Sequence, residues 1–509
     1  MNRRIRRLGV ALVVLFGLLF LQVSYLQVFA AGRIANNPAN ATRQIIAEYQ
    51  VDRGSIFAAD GTALALSSPT HGRTIYGFAR KYPDGPLYAG LTGFYSRIYG
   101  RTELEQSENA YLAGDAPELA VSTFTDLLLG RPRKGGSVWT TIDTHLQRVA
   151  SQALGSLPGA VVAMDPTTGD VKALVANPTF DPNQLSSQDT AEQRAAWTRL
   201  NADPTDPMLS RANDELFPPG STFKMITASA ALGAGYGVDS QWPNPHVLDL
   251  PLTNATIQNF GGEQCPGGAK TTLIVAFTNS CNVIFGEVGL KLGAQALSEQ
   301  AHAYGFCPTH PPQQTDCITP TIPFVIPFET GRFPEPSYFE HNDPLVAISA
   351  IGQDNVLANP LQMVLVASAI ANGGTEMEPR LVTQIRDPRG RVIRSFEPTV
   401  YGQPITKQTA TALTQMMVSV VQSGTGTAAQ IPGVTVAGKT GTAQHGGPGT
   451  APHAWFVCFA ARPGENPSIA VAVIVLDGGN LGSEATGGQV AAPIAKQVIQ
   501  AYLGEGGGA

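Results

Sequence analysis

Hydrophobic and polar positions along the chain fall into three regimes. Residues 8–32 carry no charge, and the densest apolar part, 8–21, thins out through Val23, Tyr25, Leu26, Val28 and Phe29. About 20 such residues suffice to cross a bilayer as a helix. Between Arg53 and Gly130 short apolar segments alternate with polar ones, and Asp60-Gly61 between two of them predicts a hairpin. From Ser137 the apolar runs lengthen. Residues 138–142, 160–164, 171–175, 454–460 and 469–476 read as strands, with a turn at 165–169 and a Pro/Gly turn at 462–467. Residues 222–232, 276–292, 360–371, 407–421 and 492–503 read as helices, and another follows a cap at Asp143 or Thr144. Strands from both ends of a segment with helices between them predict an α+β domain. The resulting map is a basic tail at 1–7, a membrane anchor at 8–29, a smaller domain at 30–135 entered through a polar linker at 36–43, and a larger domain at 136–509. The boundary is Arg131-Pro132-Arg133-Lys134-Gly135-Gly136.

Charge refines this map. Arg3, Arg4, Arg6 and Arg7 precede the apolar run and keep that end cytoplasmic, placing the remainder on the far side of a cell membrane. A cleaved secretory signal with a small-residue site near Ala30-Ala31 is the alternative, and it too exports the chain. The net charge of −6 becomes about −11 beyond residue 33, with no further basic block, which argues against nucleic acid as a partner. The cysteines form no Cys-x-x-Cys pair and the histidines no His-x-x-x-His pair, so neither a metal site nor a cofactor is expected.

Candidate chemistry centres on three short stretches. Pro218-Pro219-Gly220 stops any regular element before Ser221 and starts a helix there, where unpaired N–H groups favour developing negative charge. Lys224 lies one turn on, on the same face, and a lysine made neutral by burial can take a serine proton. Standing alone, Ser-x-x-Lys is equally a capping serine with a solvated lysine. Ser280-Cys281-Asn282 offers a hydroxyl and a carboxamide two apart. Lys439-Thr440-Gly441-Thr442 offers a cation, two hydroxyls and a glycine that permits close backbone approach on a short strand.

In this order the three stretches resemble the Ser-x-x-Lys, Ser-x-Asn and Lys-Thr-Gly motifs of the penicillin-binding proteins. Met164-Asp165-Pro166-Thr167-Thr168-Gly169, Ile351-Gly352-Gln353, Gly424-Thr425-Gly426-Thr427-Ala428 and His453-Ala454-Trp455-Phe456 are also similar to the family. Arg53-Gly54-x-Ile56 and Gly100-Arg101-Thr102-Glu103 resemble the pedestal of class B members, and the whole is most similar to the A type of actinobacteria. The resemblance implies an α+β transpeptidase domain of the serine penicillin-binding and β-lactamase kind, preceded by an elongated, dimerisation-like pedestal and one transmembrane helix. It implies a D-alanyl-D-alanine transpeptidase acting on peptidoglycan stem peptides in growth or division, and acylated by β-lactams. Ser221 is then the nucleophile and Lys224 its base, kept neutral with the help of Lys439. The Ser221 and Thr442 backbone N–H groups form the oxyanion hole. Thr440 and Thr442, with Lys439 and Gly441, bind the terminal carboxylate. Ser280 relays a proton and Asn282 holds the peptide amide. Membrane and cell-wall synthesis or division proteins are the partners implied, the latter through the N-terminal domain.

Rival readings stay open at this level. A D,D-carboxypeptidase shares the motifs, because water or amine as acceptor is not written in them, and a division or elongation scaffold is of another class altogether. A β-lactamase is disfavoured because no Glu-x-x-Leu-Asn string occurs, and a glycosyltransferase because the chain before Gly136 is too short for one. Of the five cysteines, Cys265 with Cys281 would close a loop of about 16 residues worth on the order of 3 kcal/mol. Cys307 with Cys317 is a second candidate pair and leaves Cys458 free; five buried thiols are the alternative.

Overall fold

The computed structural model describes residues 2–26, 49–70, 77–120, 133–314, 316–317, 322–447 and 449–504. α1 (Asn2–Ser24) is a single helix, long and apolar enough to cross a membrane and exposed along nearly its whole length. The end of the expected anchor, 27–29, the linker 36–43 and Arg131-Pro132 lie outside the described residues.

A six-stranded sheet is assembled from three distant stretches of chain. β1 (Ile56–Phe57) and β2 (Ala63–Pro69) form the hairpin around Asp60-Gly61, with Gly61 at φ 86°. The Asp60 carboxylate accepts from the Thr62 N–H at 2.8 Å, a local bond that closes the turn. β3 (Phe78–Lys81) flanks β2. On the other side β1 runs parallel to β4 (Ser137–Thr140), which pairs antiparallel with β7 (Val382–Arg386), and β8 (Val392–Ser395) closes that edge. The sheet therefore crosses the boundary expected at 135/136. β7 and β8 escape the sequence reading because only Val382 and Ile385 of β7, and no residue of β8, are buried. A half-exposed strand leaves no continuous apolar run.

Against the hairpin lies the short helix Glu103–Ser107, whose Glu105 is fully buried between two arginines. Arg53 Nε donates to Oε2 at 2.6 Å and Arg80 Nε to Oε1 at 2.5 Å, while the Tyr82 hydroxyl donates to Oε1 at 3.0 Å. Arg53 also donates to the Glu105 carbonyl and to Asn109, and its guanidinium lies 4.3 Å from the Tyr95 ring centroid. Burial alone would raise the Glu105 pKa, but Arg80 and Arg53 outweigh it and hold the carboxyl below its usual range.

The second sheet is five-stranded and antiparallel, in the order β9 (Thr435–Ala443), β10 (His453–Ala461), β11 (Ile469–Val475), β5 (Gly159–Met164), β6 (Val171–Asn177). β5, β10 and β11 are buried at every position, because helices cover both faces. Val161 and Ala163 pack with α2 (Thr144–Leu154) and α8 (Gly487–Leu503). Ala160, Val162 and Met164 join the larger core with α6 (Pro360–Ala371). Asp143 caps α2, its carboxylate accepting from the Leu146 N–H at 2.9 Å. α8 starts earlier than the apolar run from 492, since Thr486 and Gln489 form a capping box ahead of it.

Removing the charge shared by Arg53 and Arg80 tests the first sheet. Glu105→Ala leaves two guanidiniums buried without a counter-charge and is expected to cost about 3–5 kcal/mol. The check is a lowered thermal midpoint of the purified protein; an unchanged midpoint would show that the cluster does not hold the N-terminal part in place.

Candidate active site

Ser221 sits on a single 3₁₀ turn, Gly220–Phe223, which runs directly into α3 (Lys224–Gly233). The sequence expectation of a helix starting at the serine is corrected in this detail: the α-helix proper begins at Lys224. The turn is pressed onto β9. Gly220 has φ 52°, and a Cβ there would lie 2.8 Å from the Thr442 carbonyl oxygen. Gly441 faces this turn rather than the open cleft, since its Cβ would meet Thr222 at 2.9 Å and the Pro219 carbonyl at 3.0 Å. Behind the turn, the Gly220 N–H donates to the Gly352 carbonyl at 2.9 Å and Trp455 Nε1 to the Pro218 carbonyl at 3.0 Å. Glycines at 220, 352 and 441 thus let three backbone segments converge on one serine.

Ser280 and Asn282 arrive through a break that the sequence does not announce. A single helix over 276–292 is expected, but α4 (Leu273–Thr278) ends and α5 (Asn282–Ala303) begins afresh. The Cys281 N–H donates to the Ala276 carbonyl at 2.9 Å and the Ser280 N–H to that of Phe277 at 3.1 Å, the Schellman pattern of a helix end. Its left-handed position, at φ 57°, is taken by Ser280 instead of the usual glycine. Backbone strain is thereby stored at the residue that faces both lysines. Cys281 is joined to Cys265 with Cα atoms 5.8 Å apart, which ties the break to the loop before α4. Cys307 is joined to Cys317, and Cys458 is free and buried in β10.

The two lysines define the electrostatics. Lys224 Nζ lies 3.0 Å from Ser221 Oγ and donates to the Ser280 carbonyl at 2.7 Å and to Asn282 Oδ1 at 2.8 Å. Lys439 Nζ donates to Ser280 Oγ at 2.8 Å and to the Thr440 carbonyl at 2.9 Å. Both side chains are fully buried, and among the described residues no carboxylate pairs with either. Burial, then the charge of Lys439, push the Lys224 pKa well below its ordinary value; burial alone brings Lys439 down to about 7. The Asn282 carboxamide is engaged within the protein, holding Lys224 through Oδ1 and donating from Nδ2 to the Gln258 carbonyl at 3.1 Å.

Ser221, Ser280, Asn282, Thr440 and Thr442 line a cleft of about 1020 Å³ whose walls also include Gln258, Asn259, Phe260, Gln353, Thr425 and Gln444, with Lys224 and Lys439 buried behind them. Residues 258–260 were missed by the sequence reading. Their one local signal is the turn Asn259-Phe260-Gly261-Gly262, and it carries no chemistry by itself. Sequence spacing also gave no hint that His445, His453 and Asp477 meet at the rim. The two rings stack with centroids 3.7 Å apart, and His445 Nε2 lies 2.8 Å from the Asp477 carboxylate. His453 Nδ1 accepts from the Asp477 N–H at 3.2 Å, and burial followed by the neighbouring His445 lowers the His453 pKa to about 4. One nitrogen of each ring is engaged, His445 Nε2 by the Asp477 carboxylate and the Ala451 carbonyl and His453 Nδ1 by the Asp477 N–H, so the trio ties the segment after β9 and the start of β10 to the segment after β11.

A serine within reach of a buried, unpaired lysine, beside a second lysine on a strand edge, defines a serine acyl-transfer site. The chain belongs to the penicillin-binding protein transpeptidase family, whose domain model matches residues 159–500. Residues 53–138 match the penicillin-binding protein A dimerisation domain. The chain is 40% identical over 514 residues to the peptidoglycan D,D-transpeptidase PbpA of Mycolicibacterium smegmatis, covering 99% of this chain and 100% of the relative. It is 38% identical over 510 residues to PbpA of Mycobacterium tuberculosis, covering 99% of each. Its fold is similar to that of penicillin-binding protein A from M. tuberculosis solved as a ceftriaxone acyl-enzyme complex. That match has a TM-score of 0.81 and 37% identity, and covers 90% of this chain and all of that one.

The convergence on Ser221 gives a direct test. Gly352 has φ 76°, and a Cβ there would sit 2.1 Å from the Gly220 carbonyl oxygen. Gly352→Ala is expected to displace the serine turn and slow acylation by penicillin about 10²-fold, the effect of an ångström-scale misplacement. Stopped-flow acylation checks this, with circular dichroism to show the fold retained.

Proposed function

We propose that this chain is a membrane-anchored peptidoglycan D,D-transpeptidase that cross-links stem peptides through a Ser221 ester and is acylated by β-lactams. The observation that carries the reading is the environment of Lys224. Its two shortest contacts are to pure acceptors, at 2.7 and 2.8 Å, and these use the two N–H bonds of a neutral amine. The remaining lone pair is then free for the Ser221 hydroxyl 3.0 Å away. In this mechanism Ser221 Oγ attacks the carbonyl between the two D-alanines while its proton passes to Lys224. The backbone N–H groups of Ser221 and Thr442 receive the oxyanion. As the C–N bond breaks, Ser280, in contact with both lysines, relays the proton to the departing D-alanine. An amine from a neighbouring strand attacks the ester and releases Ser221. Thr440 and Thr442 donate to the substrate's terminal carboxylate and Lys439 supplies the positive charge. Asn282 aligns Lys224 and borders the peptide's path along Gln258. The apolar stretch of α1 that follows its four arginines supports an anchor with the catalytic part on the far side of the membrane. The N-terminal part is then the surface for other cell-wall synthesis proteins.

Labelling with a fluorescent penicillin tests the nucleophile. Wild-type protein is expected to carry a covalent adduct stable for hours, and Ser221→Ala none; a folded wild-type protein that takes no label would refute the reading. Supplying an acceptor amine to a pentapeptide donor then separates cross-linking from release of D-alanine to water. The pH profile tests the lysines. Acylation needs neutral Lys224, so the second-order rate falls as acid protonates it, at a pH well below the ordinary lysine value. Loss of the Lys439 charge, from about pH 7 upward in the empty site, weakens capture of a carboxylate and gives an alkaline limb. A rate that climbed steadily to pH 10 would contradict both assignments.

A further inference from the structure

Thr425 follows the end of α7 (Lys407–Ser423) and belongs to neither of the motif stretches it touches. Its hydroxyl lies 2.5 Å from that of Thr440, and it lines the cleft beside Thr440 and Thr442. Its N–H donates to the Thr278 carbonyl at 3.3 Å, at the end of the helix that leads into Ser280. The same carbonyl lies so close to Gly424 that a Cβ there would be 2.3 Å away, and the Thr278 and Ser419 hydroxyls are 2.5 Å apart. On the other side the Thr425 carbonyl abuts Gly488 at the start of α8, where a Cβ would be 2.1 Å away. One residue thus brackets the Ser280 wall of the cleft against the Lys439–Thr442 wall.

We infer that Thr425 is a positioning residue that fixes the direction of the Thr440 hydroxyl, an inference that rests on the transpeptidase reading above. Thr440 has one O–H. When that bond is given to an incoming carboxylate, the Thr440 oxygen can only accept from Thr425, and a carboxylate acceptor favours this order because charge-assisted bonds are the stronger ones. Thr425 therefore supplies the donor that the Thr440 oxygen accepts from once its own O–H is given to the substrate's negative end. In the empty site either hydroxyl can be the donor, and the arriving anion selects the direction.

The test compares acylation of wild type, Thr425→Val, Thr440→Val and the double variant by a carboxylate-bearing penicillin and by its methyl ester. Losing one hydroxyl bond is expected to reduce the second-order rate for the acid about tenfold. The loss should lie in the concentration for half-saturation rather than in the limiting rate, and the two substitutions should be non-additive. The ester is expected to show little change, and Thr425→Ser to restore the wild-type rate. Equal losses for acid and ester, additive effects, or a valine variant that reacts like wild type would each overturn the inference. If the valine variant does not fold, Thr425→Ala, which only removes atoms, enters the same comparison and is judged by the same outcomes. Absence of any acylation in wild type would instead sink the functional reading itself, so the two failures are distinct.

Discussion

Two lysine side chains buried within reach of the Ser280 hydroxyl are the constraint on which the site depends. Among the described residues neither Lys224 nor Lys439 has a carboxylate partner, and the hydrogen bonds they make there are to neutral oxygens. Burying a charge on such terms is costly, and proteins relieve the cost by giving up a proton. What elsewhere would be a defect here defines the chemistry. The oxygens that hold the two amines come from the break between α4 and α5 and from β9, so these segments must be placed to within a fraction of an ångström.

That requirement shows in the backbone around Ser221. Left-handed Gly220, Ser280 and Gly352 lie within the few residues that meet around Ser221, whereas β5, β10 and β11 are buried at every position. The core sheet supplies rigidity, and these left-handed positions let three segments touch.

The same division decides how much could be read in the sequence. The strands of the central sheet were legible because two covered faces demand unbroken runs of Val, Ile and Ala, and the three motifs were legible because their residue types and order resemble a known family. The break at Ser280 was not, since a serine in the left-handed position gives no glycine signal and Ala276 to Leu292 reads as continuous helix. β7 and β8 were hidden by their exposed faces. The cysteine pairing stayed open because spacing along the chain does not say whether two Cα atoms approach; here they stand 5.8 Å apart in both bridges. Thr425 stood in a family-like stretch, but its contact with Thr440 joins residues from two segments, and such contacts carry no local pattern.

The six-stranded sheet bears on where this molecule can be cut. The match to the dimerisation domain ends at Val138, in the middle of β4, and the transpeptidase match begins only at Gly159. A fragment begun between them would strip β4 from β7 and leave the inner edge of Val382–Arg386 with its backbone donors and acceptors unpaired. Such an edge invites pairing with another chain. The two family modules are separable as text but share a seam as matter, and an insertion or truncation there would have to bring a replacement strand with it.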